Sequence, residues 1–191
     1  YTYKMKYKFI TVIVILSLYY RFYIEQNEVN TSIYNNIKNH IPNKSTVLDF
    51  GSGKCVLGKM LNGRNEVKQI DTYKGCENTD VYDGFKLPYE DSSFDVVVAK
   101  EVLHHIDTYE LTIKELLRVA KMKVIIVEDY PTTLYHKILS SIHYIFFMQF
   151  PTHVSNMKAP KEWCQLLGNN CIIEKKRKNH FIYTVPHYLI S

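Results

Sequence analysis

The stretch "VLDFGSGKCVLGKML", Val47 to Leu61, decides the fold. It reads in three registers, each with a different ligand. Gly51 and Gly53 open a G-x-G dinucleotide fingerprint. Its third glycine position falls on Val56, where a side chain obstructs close helix–strand packing. Gly53, Gly58 and Lys59 spell most of a P-loop, but Met60 stands where a Ser or Thr hydroxyl would hold magnesium. Val56 and Leu57 also read as helix core, whereas a phosphate cradle needs accessible backbone amides. In the third register a short apolar strand ends at Asp49 and two glycines follow, spaced by one residue. An acid at a strand end suits a ligand carrying positive charge; a pyrophosphate prefers donors and cations.

Outward from this loop, helix and strand signals alternate. "TSIYNNIKNHI" carries Ile33, Ile37 and Ile41 at helical spacing and stops at Pro42. "STVLDF" reads as a buried strand, "VLGKML" as a helix, and "EVKQID" as the second strand. "SFDVVVAK" is the most strand-like segment. "DTYELTIKELLRVA" is amphipathic through Leu111, Leu116 and Val119, and "KVIIVED" is another buried strand. "KEWCQLL" reads as a helix ending at Gly168, and "CIIEKKRK" and "HFIYTVPHYLI" as two closing strands. This alternation predicts an α/β fold around a mostly parallel sheet, with ligands beyond the carboxyl ends of the strands. Those ends carry Asp49, Gly51 and Gly53, then Asp71, Lys100 with Glu101, and Glu128 with Asp129.

With "VLDFGSG", an acid closing the second strand at Asp71, and "YDGFKLPYEDSSFDVVVAKEVLHHI" from Tyr82 to Ile106, the chain resembles the class I methyltransferases that use S-adenosylmethionine. The likeness is to their ubiquinone-biosynthesis-like (type 11) members. "ELLRVAKMKVIIVED" and the helix "KEWCQLLG" continue it in order, over roughly residues 45 to 175. The resemblance implies a Rossmann-like methyltransferase fold with a seven-stranded sheet and S-adenosyl-L-methionine as cofactor. It implies that the backbone at Gly51 and Gly53 approaches the methionine part, that Asp49 helps hold the amino group, and that Asp71 takes the ribose hydroxyls. It places Asp83 beside the adenine edge and Lys100 on the methionine side through its backbone. Asp83 before Gly84 is also a good turn pair. Two departures stand out: Cys55 occupies a usual glycine position, and the segment from Asp71 to Asp83 leaves no room for a full helix followed by a strand.

Methyl transfer from a sulfonium is an in-line displacement with a leaving group already activated, so the protein supplies alignment and a dry site. A base is needed only if the nucleophile must lose a proton. His104 and His105 follow the fourth strand, with one of the pair expected to face the pocket, and Glu128 and Asp129 end the fifth. His104 and Asp129 are the candidates for acceptor contact. Between Tyr130 and Pro160 the aromatics Tyr135, Tyr144, Phe146, Phe147 and Phe150 exceed the needs of a crossover. An apolar lid of this kind suits a small or lipid-like acceptor methylated at oxygen or carbon. The alternative is a catalytically idle member of the fold serving as a binding or scaffold module, for which Cys55 and the short adenine wall argue. Nucleic acid is not the expected partner: the Asx-Pro-Pro-aromatic motif of base methyltransferases is replaced by "KEVLHH".

The 191 residues suffice for one domain with a full core, and 46% hydrophobic content excludes wholesale disorder. A net charge of +5 argues for no particular polyanion. None of the four cysteines forms a C-x-x-C pair, so no metal site is expected. They read as thiols of a reducing, cytoplasmic compartment, although Cys164 and Cys171 are close enough in sequence to bridge. Residues 1–28 form a separate apolar segment before a domain over 29–191. Its run Phe9–Tyr20 behind three lysines spans only about 18 Å as a helix, against roughly 30 Å of hydrocarbon core. Extended to Ile24, it reads as a short anchor, an interfacial segment or a packing helix.

Overall fold

The computed structural model describes residues 31–130, 133–134, 158–168, 171–176 and 187–191. A helix over residues 31–40 (α1) precedes β1 (Thr46–Phe50), α2 (Val56–Leu61), β2 (Glu66–Asp71) and a short β3 (Thr79–Val81). β4 (Phe94–Lys100) follows, with a single 3-10 turn (Leu103–His105), α3 (Tyr109–Val119) and β5 (Ala120–Asp129). Then come α4 (Pro160–Leu167), β6 (Ile173–Lys176) and β7 (His187–Ile190). The strands form one sheet ordered β3-β2-β1-β4-β5-β7-β6. β1 to β5 run parallel, and β7 lies antiparallel between β5 and β6.

The central strands are unbroken apolar runs because both sheet faces are covered. Successive residues of β4 serve opposite layers, as a period of two requires. Val96 and Val98 pack with Ile37 and Ile41 of the α1 region and Leu57 and Leu61 of α2. Val97 and Ala99 pack with Ile113 and Leu116 of α3 and Trp163 of α4. The isoleucine ladder of residues 33, 37 and 41 is buried as its spacing predicts.

Two details differ from the sequence expectation. Leu111 is 59% exposed; α3 buries Thr112, Ile113, Leu116 and Val119, so its inward stripe begins one residue later. Val56, at the first position of α2, is also exposed, and only Leu57 and Leu61 of that helix reach the core. Gly58 then explains itself: a Cβ there would run into the Gln69 side chain of β2, so this glycine lets α2 lie close on the sheet. Between Asp71 and Thr79 no helix forms, but the three-residue β3 still pairs with β2.

The apolar segment 1–28 and the five aromatics from Tyr135 to Phe150 lie outside the described residues. Among the described residues no helix is long and apolar enough to cross a membrane.

Candidate active site

The strand order reverses between β1 and β4: the chain runs outward through β2 and β3, then returns to place β4 on the other side of β1. A crevice opens at such a point beyond the carboxyl ends of the two strands. Gly51 leaves β1 with φ +67, and a Cβ on it would meet Val102 Cγ2, just past β4, at 2.5 Å. Both the backbone angle and the interlock with Val102 demand glycine. The Gly51 and Ser52 amides donate to Ile70 O (2.9 and 3.2 Å), which ties the loop to β2. The Gly53 amide donates to Asp71 Oδ2 (2.9 Å), and the Thr72 amide donates to Asp71 Oδ1 (2.7 Å). The Thr72 hydroxyl also donates to Oδ1 (3.5 Å), and Oδ2 keeps a second lone pair for a hydroxyl donor.

A cavity of about 980 Å³ lies over these groups. Its wall is built from four loops: Gly51 and Gly53, Asp71 with Tyr73, Tyr82 with Gly84, and the stretch from Glu101 to Ile106. Asp83 is exposed, and its carboxylate accepts the Phe85 amide (2.9 Å) within its own turn; its neighbours Tyr82 and Gly84 form the wall.

Asp49 is buried behind the glycine loop, and its Oδ2 has no hydrogen-bond partner. Burial pushes its carboxyl up to about 7; Lys100 opposes the shift and Asp71 adds to it. Lys100 is largely covered, with Nζ 2.5 Å from Glu101 Oε2 and 5.2 Å from the centre of the Tyr34 ring. Burial disfavours its charge, but Glu101 more than restores it. Glu101 itself has φ +52, an uncommon angle for a side-chain-bearing residue and typical of functional strand ends.

Of the two adjacent histidines, His105 lines the cavity and His104 does not. His104 is buried, with Nδ1 on Glu128 Oε2, while Glu128 Oε1 accepts the Leu103 amide (2.9 Å). Burial opposes the charge on His104, and the Glu128 carboxylate outweighs it and raises the imidazole's pKa. The His105 ring stands 4.0 Å from that of His104. Burial, then the neighbouring His104 charge, lowers its pKa to about 4, so it is neutral at pH 7. Asp129 is half-buried at the end of β5 and lies outside the cavity wall.

The cysteines correct the thiol expectation. Cys55 is disulfide-bonded to Cys76, and Cys164 to Cys171, the pair whose spacing allowed it. Cys55 has φ +58, the left-handed angle that makes glycine usual at this position. Its side chain turns away from the cavity, against Cys76 and Thr79.

Sequence reasoning missed Phe50, Thr72, Tyr73, Val102 and Ile106 as wall residues. For Tyr73 a signal was present, an aromatic two places past the strand-end acid. Val102 had none, because its role depends on the switch between β1 and β4.

A parallel sheet with a reversal at β1 and β4, a glycine loop and a strand-end acid facing one cavity are the features of a Rossmann-like fold of the methyltransferase type. Residues 48–127 match the sequence profile of a family described as a methyltransferase domain, its type 11 group. Over that stretch, which holds the glycine loop and the whole cavity wall, the chain resembles the class I, type 11 methyltransferases that use S-adenosylmethionine. The fold is shared with an S-adenosylmethionine-dependent methyltransferase of Archaeoglobus fulgidus (TM-score 0.67, 18% identity, 85% of this chain and 92% of that one). It is similar to the YcgJ protein of Bacillus subtilis (0.61, 16%, 77% and 90%). A third structure is magnesium protoporphyrin IX methyltransferase of Synechocystis, solved with S-adenosylhomocysteine bound (0.59, 18%, 87% and 82%). Among proteins of curated function none matches significantly.

The residues fit this cofactor. The unpartnered Asp49 Oδ2 is a buried carboxyl oxygen that an ammonium would satisfy and ionise, and the glycine loop presents Gly51 and Gly53 to the cavity.

Proposed function

We propose that this methyltransferase transfers a methyl group to a small or lipophilic acceptor at oxygen or carbon. The apolar wall beside the strand-end acids carries the reading: Phe50, Tyr73, Tyr82, Val102 and Ile106 surround few polar groups. In this reading Asp71 holds the ribose hydroxyls, Tyr82 and Gly84 with the Asp83 turn frame the adenine edge, and the Gly51 and Gly53 backbone receives the methionine part. Asp49 holds the amino group, and Lys100 balances the acids around it.

When bound, the cofactor supplies an activated methyl sulfonium. The chain aligns the acceptor with it and excludes water. His105 is the residue that touches the acceptor, as a neutral imidazole. His104, held by Glu128, positions His105 by ring contact, and Asp129 faces the acceptor side from the end of β5.

Calorimetry with S-adenosylhomocysteine tests the cofactor half of the proposal, with binding in the micromolar range expected. A screen of small-molecule extract with methyl-labelled S-adenosylmethionine tests the acceptor half. Label appearing only in amine products would overturn the oxygen or carbon assignment.

A further inference from the structure

Cys55 and Cys76 sit on the two loops that hold the cofactor in the proposed reading. Cys55 closes the glycine loop at the start of α2, and Cys76 lies in the loop after Asp71 that carries Thr72 and Tyr73 into the cavity wall. The bond spans 6.2 Å between Cα atoms and 21 residues of chain. Around it the loops are packed backbone to backbone: a Cβ on Gly75 would overlap the carbonyl oxygen of Gly53. Thr79 Oγ1 lies 3.2 Å from each sulfur and accepts the Cys76 amide.

Cys55 also holds a backbone angle that an L-residue adopts at a cost. Glycine adopts it freely. Here the cross-link fixes the angle from outside, and the Gly53 amide stays on Asp71. Without the bond, Cys55 is free to relax to negative φ. That rotation turns the Lys54–Cys55 peptide, one residue past Gly53, and through it pulls the glycine loop off the ribose acid. Cys55 is fully buried, whereas Cys76 is half-buried and is the sulfur a thiol can reach.

We propose that the Cys55–Cys76 pair is a thiol–disulfide switch on cofactor binding: bonded, it holds the glycine loop in its binding shape; reduced, it lets the loop relax and affinity falls. This rests on the cofactor reading above. The chemistry is exchange with a dithiol. A thiolate of the dithiol attacks the Cys76 sulfur, and Cys55 leaves as a thiolate and takes up a proton. The dithiol's second thiolate then attacks its own sulfur in the mixed disulfide, closing the dithiol's disulfide and releasing Cys76 as a thiolate that is protonated in turn.

The test is calorimetry with S-adenosylhomocysteine on the full chain, air-oxidised and then treated with dithiothreitol. Alkylation and mass spectrometry verify the state of each cysteine. Reduction is expected to weaken binding about tenfold or more. The double variant C164S/C171S, which lacks the other disulfide, should show the same response.

Two further variants separate loop shape from general stability. C55S/C76S keeps an L-residue at position 55 and should bind as weakly as the reduced protein. C55G/C76S restores glycine there and should recover most of the oxidised affinity without any bond. Equal affinity of oxidised and reduced protein, or of the two double variants, would overturn the switch. Absence of binding by folded protein in both states would overturn the cofactor reading, and the switch with it.

Discussion

Asp71 shows how much one side chain organises. Its carboxylate joins the glycine loop to β2 through the Gly53 amide and to the next loop through Thr72. Asp71→Ala removes two backbone amide hydrogen bonds, a longer one from the Thr72 hydroxyl and the ribose acceptor, at about 1.5–3 kcal/mol for each of the two amide bonds. S-adenosylhomocysteine should bind at least tenfold more weakly to this variant, and unchanged affinity would reassign the ribose acid. Asp49 makes a separate prediction. Its folded pKa of about 7 lies above the ordinary 3.8, so the folded chain retains a proton that the unfolded chain has lost. Its share of stability is therefore full below about pH 4 and declines as pH rises to about 7. His105, lowered to about 4 from 6.5, acts in the opposite sense, and its share rises with pH over that window. An ammonium beside Asp49 favours the ionised carboxyl. Cofactor affinity should therefore tighten as pH rises toward 7 and level off above it. Calorimetry from pH 5.5 to 8 reads this, and Asp49→Asn should flatten the profile.

Among elements, the segment between β3 and β4 depends on α3. Arg118 donates to the carbonyls of Leu87 (3.1 Å) and Tyr89 (2.8 Å) and pairs with Asp91 (2.9 Å) and Glu115 (2.7 Å). Glu115 in turn accepts the Leu87 amide (3.0 Å). Arg118→Ala leaves two carbonyls and a carboxylate without their donor and should cost about 2 kcal/mol by urea denaturation. Arg118→Lys should recover only part, because an ammonium cannot reproduce the planar fork. Elements such as these were legible in the sequence. Apolar period separated β1, β4 and β5 from the helices, and Pro42 and Gly168 marked helix ends. The acids and glycines at strand ends pointed to Asp49, Gly51, Gly53 and Asp71. What the sequence did not disclose depends on contacts between distant segments. Gly58 is small because of Gln69, Gly51 because of Val102, and Cys55 is bonded to a residue two loops away. The choice between adjacent histidines was hidden for the same reason, since Glu128 selects which one turns inward.

At the scale of the whole molecule, the sheet is completed by its last strand. β7 is interposed between β5 and β6, with Ile190 opposite Ile126 and fully buried in the core shared with α3 and α4. Ile190→Ala should destabilise the protein by about 3 kcal/mol. Removal of residues 187–191 strips β5 of its partner, exposing an apolar strand edge, and should yield aggregating protein in size-exclusion chromatography. The two halves of the sheet have different duties. Every residue lining the described cavity falls between Phe50 and Ile106, in one continuous stretch, while β5 and the described residues after it contribute none of its lining. Inheritance can therefore act on the halves separately. Recombination after Val119 would carry the whole described cavity wall, His105 included, in one piece, so grafts between relatives at that junction should keep S-adenosylhomocysteine binding.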